Sequence, residues 1–150
     1  MEVKELIHRS PITVSETATL QEAAQLLIEE TVGALLVTKA NTLIGIVTER
    51  DIIAKIAEGE ESTETLQDLI VLDPFSVTPA TSVVNAAELM AEKWIRHLPV
   101  LDENGLYGII SIRDLMTGLL LSIDSKPDWS DLLLSLLKKE SHKEEPVSSE

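Results

Sequence analysis

The sequence predicts an α/β (α+β) fold made of two β-α-β-β-α repeats and a C-terminal amphipathic helix. Three observations predict this fold. A shift of the chain against itself by 63 residues aligns residues 6–53 with residues 69–116 without a gap, and 16 of the 48 aligned positions are identical. Chance would give roughly three identities, so the chain contains a duplication. Within each copy, apolar residues recur at helical spacing in one segment and form short continuous runs in the next.

The two copies contain the same elements in the same order. Thr19 and Ser82 are suited to cap the first helix of their copies, because apolar residues follow each of them at helical spacing. The continuous apolar runs suit strands that are covered on both faces. A second helix starts near Glu49 in the first copy and near Ile112 in the second. The predicted strands lie at residues 12–14, 34–37 and 43–47 in the first copy and at residues 75–77, 98–101 and 106–110 in the second.

The repeats are predicted at residues 1–60 and 61–123, joined by a polar linker at residues 57–63. A further amphipathic helix is predicted at residues 124–139, and its leucine-rich face is expected to serve packing or dimer burial. Residues 140–150 are polar and acidic and are expected to be disordered. The apolar face of the last helix is formed by Trp129, Leu132, Leu133, Leu136 and Leu137.

Composition restricts the class of protein. The formal charge is −14, which disfavours nucleic acid as a partner because duplex binding needs a basic face. The chain has no cysteine, and no apolar run approaches the roughly 18 residues that cross a bilayer. We therefore expect a cytoplasmic protein that contacts neither nucleic acid nor membrane. His8 and His142 share no spacing with His97 that would indicate a metal site.

One motif occurs in both copies at equivalent positions. It reads Gly-Ile-Val-Thr-Glu-Arg-Asp at residues 45–51 and Gly-Ile-Ile-Ser-Ile-Arg-Asp at residues 108–114. A helix N-terminus with unpaired N–H groups and a nearby hydroxyl suits a phosphate, and a carboxylate can accept hydrogen bonds from ribose. A single copy is explained better by helix capping alone. Two copies in register favour a nucleotide site.

The duplicated motif resembles that of the cystathionine-β-synthase-type (CBS) domain family, over about residues 3–121. The segment Ile-Arg-His-Leu-Pro-Val-Leu-Asp at residues 95–102 also looks like the family's second-strand signature. The first copy departs from that signature at residues 32–38, where it has neither the proline nor the acid.

The resemblance implies two repeats that pack through their sheets with pseudo-twofold symmetry, and a homodimer of such pairs. It also implies two clefts for an adenosine ligand, in which the motif Asp contacts ribose and the Ser or Thr contacts phosphate. Ser111 and Asp114 would form one cleft with Ile12, Gly33, Ala34 and Leu35. Thr48 and Asp51 would form the other with Phe75, Arg96, His97 and Leu98. Further candidate ligand contacts within the motifs are Ile46, Arg50, Ile109 and Arg113.

Four of these side chains have a second interpretation. Arg50 and Arg113 are either phosphate ligands or partners of surface acids such as Glu49. Arg96 and His97 are either phosphate ligands or, respectively, a solvated and a packed side chain. The resemblance also implies that the side chains of Arg96 and His97 lie near the phosphates of the cleft that contains their own repeat's Asp114, although their backbone borders the other cleft. Because the first copy has Gly33 and Ala34 at these positions, we expect tighter binding of phosphorylated ligands at the Ser111/Asp114 cleft.

The expected function is that of a regulatory sensor for AMP, ADP or ATP that acts through a change of shape or assembly on an unidentified protein partner. No set of residues indicates an enzyme or a metal site. Two alternatives stay open: a ligand-free interaction or dimerisation module, and a sensor of S-adenosylmethionine.

Overall fold

The structure is a computed structural model that describes residues 1–121. The helix expected at residues 124–139 and the tail expected at residues 140–150 lie outside the described residues. The helices start where the sequence indicates. The Thr19 hydroxyl accepts a hydrogen bond from the Glu22 amide at 3.1 Å, and the Glu22 carboxylate accepts one from the Thr19 amide at 2.8 Å. The Ser82 hydroxyl caps its helix by accepting a hydrogen bond from the Asn85 amide at 3.0 Å. The elements are β1 (Thr13–Ser15), α1 (Leu20–Glu29), β2 (Ala34–Lys39), β3 (Thr42–Thr48), α2 (Glu49–Ala57), β4 (Val71–Leu72), α3 (Val83–Lys93), β5 (His97–Asp102), β6 (Gly105–Ser111) and α4 (Ile112–Leu121), with 3₁₀ turns at Val3–Leu6 and Leu66–Asp68.

The described strands form two sheets, one for each half of the molecule. The first has the order β1-β2-β3-β4, with β1 parallel to β2 and the other pairs antiparallel. The second contains the antiparallel pair β5-β6. The registers of β2-β3 and β5-β6 correspond residue for residue across the 63-residue repeat, including a register shift at the same place. The sheets therefore preserve the duplication.

The strand predicted at residues 75–77 is reduced to a single bridge between Val77 and Val100. In the first half, the Leu36 amide donates to the Ile12 carbonyl at 3.1 Å and helps to hold β1 against β2. The equivalent position in the second half is Pro99, which has no N–H to donate. Only the hydrogen bonds of the Val77 amide and carbonyl, to Pro99 and Leu101, join residues 75–77 to β5. The prediction of a strand was therefore wrong for this segment.

The two halves exchange their leading segments, which are residues 3–9 at the start of the first repeat and residues 66–72 at the start of the second. Val3 is fully buried in the core of the second half, and its amide donates to the Thr81 carbonyl at 2.9 Å. In return, Leu66 is fully buried in the core of the first half, and its amide donates to the Ala18 carbonyl at 2.9 Å. Each half thus completes its core with the opening segment of the other repeat.

Two glycines allow these leading segments to lie flat on the sheets. A side chain at Gly45 would meet the Val71 carbonyl oxygen at 2.6 Å, and one at Gly108 would meet Ile7 at 3.0 Å. Both positions are the Gly of the repeated motif. The motif glycine is therefore needed for close approach of the exchanged segment.

Each sheet covers the core of its own half with one face, and the two halves pack against each other through the opposite faces. Ala34, Leu36 and Ile46 form a buried cluster there, and Leu43, Leu106 and Ile109 pack against it. The cluster contains Leu43 with its repeat equivalent Leu106, and Ile46 with its equivalent Ile109. This pairing of equivalents is the contact expected around a pseudo-twofold axis, and it confirms the predicted packing.

Apolar side chains remain exposed on the outer faces of α2 and α4. No helix among residues 1–121 has the length and apolar character required to cross a membrane. These two helices have nine and ten residues. The exposed side chains are Ile53 and Ile56 on α2, and Met116, Leu120 and Leu121 on α4.

Candidate ligand-binding cleft

A cavity of about 780 Å³ lies between the two halves, beside the second copy of the motif. Its volume is within the range of small-molecule sites. The leading segment, the end of α1, the starts of β2 and β5, and the first turns of α2 and α4 all contribute to its walls. The lining residues are Leu6, Ile7, His8, Arg9, Leu27, Ile28, Thr31, Val32, Gly33, Ala34, Glu49, Arg96, His97, Ile109, Ser111, Ile112, Arg113 and Asp114.

Ser111 and Asp114 form a reciprocal cap at the start of α4 within this cavity. The Asp114 Oδ2 atom accepts hydrogen bonds from the Ser111 amide at 2.8 Å and from the Ser111 hydroxyl at 2.6 Å. The Asp114 amide donates to the Ser111 Oγ atom at 3.2 Å. Within residues 1–121 the carboxylate forms its hydrogen bonds through Oδ2, so Oδ1 is available to a ligand.

The sequence suggested that amides at the helix N-terminus would hold a phosphate, and the structure differs on this point. The amides of Ser111 and Asp114 take part in the cap, and the Ile112 amide donates to the Arg96 carbonyl at 2.9 Å. A cap formed by the helix's own side chains satisfies donors that an anion would otherwise use. The Arg113 amide is not engaged in this way among residues 1–121, so an anion at this cleft would meet that amide and the lining side chains.

The cavity concentrates the positive charge of an acidic protein. Three of the chain's four arginines line it, namely Arg9, Arg96 and Arg113. Among the described residues, none of these guanidinium groups forms an ion pair with a carboxylate. One Arg9 Nη atom donates to the Glu30 carbonyl at the end of α1, at 3.2 Å. The second interpretation of Arg113, as the partner of a surface acid, therefore finds no such ion pair within residues 1–121.

His97 lies half-buried at the start of β5, where it pairs in register with Ser111. Burial and the neighbouring Arg96 guanidinium lower the pKa of His97 from its ordinary value of 6.5, while the Asp114 and Glu49 carboxylates act in the opposite direction. The imidazole is therefore neutral near neutral pH when the cleft holds no ligand.

Gly33 lies between the His97 imidazole and the Glu49 carboxylate. A side chain at this position would meet Glu49 Oε1 at 3.0 Å and His97 Nε2 at 3.2 Å. The absence of a side chain therefore lets a carboxylate of the first half and an imidazole of the second approach the same point. The Glu49 amide donates to the Gly33 carbonyl at 3.1 Å and fixes the start of α2 there.

The structure brings half of the sequence-predicted site residues into the cavity. Those that line it are Gly33, Ala34, Arg96, His97, Ile109, Ser111, Arg113 and Asp114. The others do not line it: Leu35 and Leu98 are fully buried in the cores of the two halves, Ile46 is buried between the sheets, Ile12 packs against the first core, and Phe75 is exposed beside Lys93. Thr48, Arg50 and Asp51 also lie outside the cavity.

Thr48 and Asp51 repeat the same cap at the start of α2. The Asp51 Oδ2 atom accepts from the Thr48 amide at 2.7 Å and from the Thr48 hydroxyl at 2.8 Å. On this side, the exchanged residues Val71 and Leu72 pair with β3 as β4, opposite Ile46 and Gly45. The equivalent residues on the other side are His8 and Arg9, which line the cavity. The two motifs thus have the same local geometry and different surroundings.

Ten of the eighteen lining residues are not among those predicted from the sequence, and three of them, His8, Arg9 and Glu49, have side chains that can carry charge. The signal for His8 and Arg9 was available in the alignment, since these basic residues directly precede the first strand where the second copy has Val71 and Leu72.

Known proteins resemble this chain in sequence and in fold. The chain is 36% identical over 114 residues to the CBS domain-containing protein YhcV of Bacillus subtilis, covering 75% of this chain and 81% of that protein. It superposes on the CBS domain protein PAE2072 from Pyrobaculum aerophilum, solved as a complex with AMP, with a TM-score of 0.75 and 32% identity over 84% of this chain and 100% of that one.

A second solved structure shares the fold. The CBS domain pair of protein MJ0100, in complex with 5′-methylthioadenosine and S-adenosyl-L-methionine, superposes with a TM-score of 0.74 at 24% identity, covering 79% of this chain and 99% of that chain. Several other curated relatives are longer, and the chain spans between 22% and 66% of their length. The model of the CBS domain matches twice, at residues 3–58 and 66–121. The chain therefore belongs to the CBS-domain family and carries a tandem pair of these domains.

Proposed function

We propose that this CBS pair is a regulatory module that binds AMP, ADP or ATP in the Ser111/Asp114 cleft. The observation that supports the proposal most directly is the gathering of Arg9, Arg96 and Arg113 around one cavity in a chain of formal charge −14. Guanidinium groups without carboxylate partners favour an anionic ligand.

The phosphate group is assigned to the polar wall of the cavity. Arg96 and Arg113 offer charged donors from β5 and α4, and a guanidinium can bind phosphate oxygens in bidentate fashion. The Ser111 hydroxyl can turn from Asp114 toward a phosphate oxygen. S-adenosylmethionine carries a sulfonium cation at the corresponding position, and the same arginines repel it.

The nucleoside is assigned to the remaining walls. Asp114 Oδ1 accepts hydrogen bonds from the ribose hydroxyls. The neighbouring arginines favour the ionised carboxylate, which is the form that accepts such bonds. Leu27, Ile28 and Val32 supply an apolar surface for the base.

Regulation is proposed to act through the contact between the halves. The chain passes from Ile7, which packs on the second core, to Ile12, which packs on the first, and His8 and Arg9 lie on this crossing beside the cavity. A ligand that binds Arg9 together with Arg113 therefore links the two halves. We further propose that the chain forms a homodimer through the exposed apolar faces of α2 and α4, and that a protein partner responds to the ligand.

Calorimetric titration with AMP, ADP, ATP, adenosine and S-adenosylmethionine tests the proposal. The three nucleotides should bind, and adenosine and S-adenosylmethionine should bind at least tenfold more weakly, because each charged hydrogen bond to phosphate contributes about 1.5–3 kcal/mol. Arg96→Ala should weaken nucleotide binding, whereas Lys39→Ala removes an exposed cation outside the cavity and should not. Absence of binding by all three nucleotides to folded protein would favour the ligand-free interaction module.

A further inference from the structure

We propose that Glu49, contributed by the first half, is a positioning residue that acts through His97 to set how strongly the cleft holds a phosphate group. The inference rests on the proposed nucleotide site. It concerns a position at which the two copies of the motif differ. The position equivalent to Glu49 is Ile112, which lines the same cavity. The cavity thus contains a carboxylate where symmetry would place a second apolar side chain.

The geometry places the carboxylate within electrostatic range of the imidazole. Because Glu49 Oε1 and His97 Nε2 both lie about 3 Å from the same point beside Gly33, they are no more than about 6 Å apart, the range over which a charge shifts a pKa. The two side chains do not form an ion pair within 4.0 Å. They therefore interact across the gap that Gly33 leaves open.

The charged groups around His97 determine its response to a ligand. An anion at Ser111, the register partner of His97, would add a negative charge beside an imidazole that is neutral in the free protein. That charge opposes the effect of burial and of Arg96, so His97 takes up a proton when the anion binds. The charged and titratable groups that line the cavity with His97 are Arg96 beside it in the chain, Arg113 and Asp114 on α4, Glu49 on α2, and His8 and Arg9 on the leading segment.

The direction of the pH dependence follows from this uptake. The pKa of His97 is lowered in the free protein and is higher in the complex, so affinity increases as pH falls through the bound-state pKa toward the free-state pKa. Glu49 stabilises the protonated imidazole and moves this transition to higher pH. The ligand's phosphate has the opposite effect, because its second pKa lies near 6 and binding as the dianion releases a proton. Net proton uptake on binding therefore indicates His97, and net proton release indicates the phosphate of the ligand.

The experiment measures protons exchanged during binding. AMP, with ADP and ATP in parallel, is titrated by calorimetry at about pH 7 in two buffers of different ionisation enthalpy. Wild-type protein should take up protons, and His97→Gln should abolish the uptake. Glu49→Gln should move the pH midpoint of affinity down by about half a unit or more. Glu58→Gln removes an exposed acid at the opposite end of α2 and should leave that midpoint in place.

Each outcome bears on a different part of the argument. Nucleotide binding without proton uptake, uptake that is lost in His8→Gln instead of His97→Gln, or a midpoint that Glu49→Gln leaves unchanged would overturn the role of Glu49 while the nucleotide site stands. If no nucleotide binds to folded wild-type protein, the proposed function itself fails. The proton count of wild-type protein does not depend on the folding of any variant.

Discussion

The two motif aspartates provide a matched pair of substitutions that separates capping from ligand binding. Asp114 accepts from the Ser111 amide and hydroxyl at 2.8 and 2.6 Å, and Asp51 accepts from the Thr48 amide and hydroxyl at 2.7 and 2.8 Å. Asp114→Ala and Asp51→Ala each remove the carboxylate half of one capping box and leave the hydroxyl cap in place, which costs about 1 kcal/mol of stability. Their effects on stability should therefore be equal within error.

The effects on affinity should differ, because Asp114 lines the cavity and Asp51 does not. Loss of a charged hydrogen bond to ribose costs about 1.5–3 kcal/mol, so Asp114→Ala should weaken AMP binding at least tenfold. Asp51→Ala should leave the affinity of the tighter site within about twofold, which is less than 0.5 kcal/mol. Urea denaturation gives the stabilities and calorimetry gives the affinities.

Two results would refute this reasoning. Equal weakening by both substitutions would mean that AMP occupies both clefts, or that each aspartate acts through the fold. Loss of the tighter site in Asp51→Ala alone would place the ligand at the first motif, where no concentration of arginines supports it. A stability loss that differs by more than about 1 kcal/mol between the variants would contradict the equivalence of the caps.

Three further predictions follow from the packing. Gly33→Ala places a methyl group against Glu49 and His97 and should weaken AMP binding while the far-ultraviolet circular dichroism is unchanged; unchanged affinity would contradict it. Val3→Ala should cost about 2 kcal/mol in urea denaturation because Val3 is fully buried, whereas Val71→Ala, at a half-exposed valine, should cost less than about 1 kcal/mol. Light scattering should give twice the chain mass of 16.5 kDa, and a monomer at working concentration would exclude the proposed dimer.

The sequence was most informative where local chemistry determines structure. Thr19 and Ser82 could be recognised as caps because a hydroxyl before an amphipathic segment has one common role, and the starts of α2 and α4 followed from the repeat. The prediction of a strand at residues 75–77 was wrong because the residue that prevents the pairing, Pro99, lies on β5. Strand pairing depends on the residues of both partners, so the pattern of one segment alone does not determine it.

The site divides in the same way. Ser111 and Asp114 could be predicted from a motif that is contiguous in the chain. The alignment marks Arg9 as a basic residue without a basic counterpart in the second copy, but its place in this cleft, like that of Glu49, depends on the exchange of leading segments and on the gap at Gly33. Three amides at the start of α4 are engaged within the protein, because a capping motif and an anion site use the same donors.

The exchange of leading segments has a consequence for the order in which the chain is synthesised. The residues around Val3 are synthesised before α3 and β5, which supply their packing partners in the second core. The first half likewise remains incomplete until Leu66 has been made. Neither repeat is therefore a unit that can finish folding alone, and a cut in the linker at residues 57–63 would separate each core from part of itself. Two gene segments that began as copies of one domain have become a single folding unit.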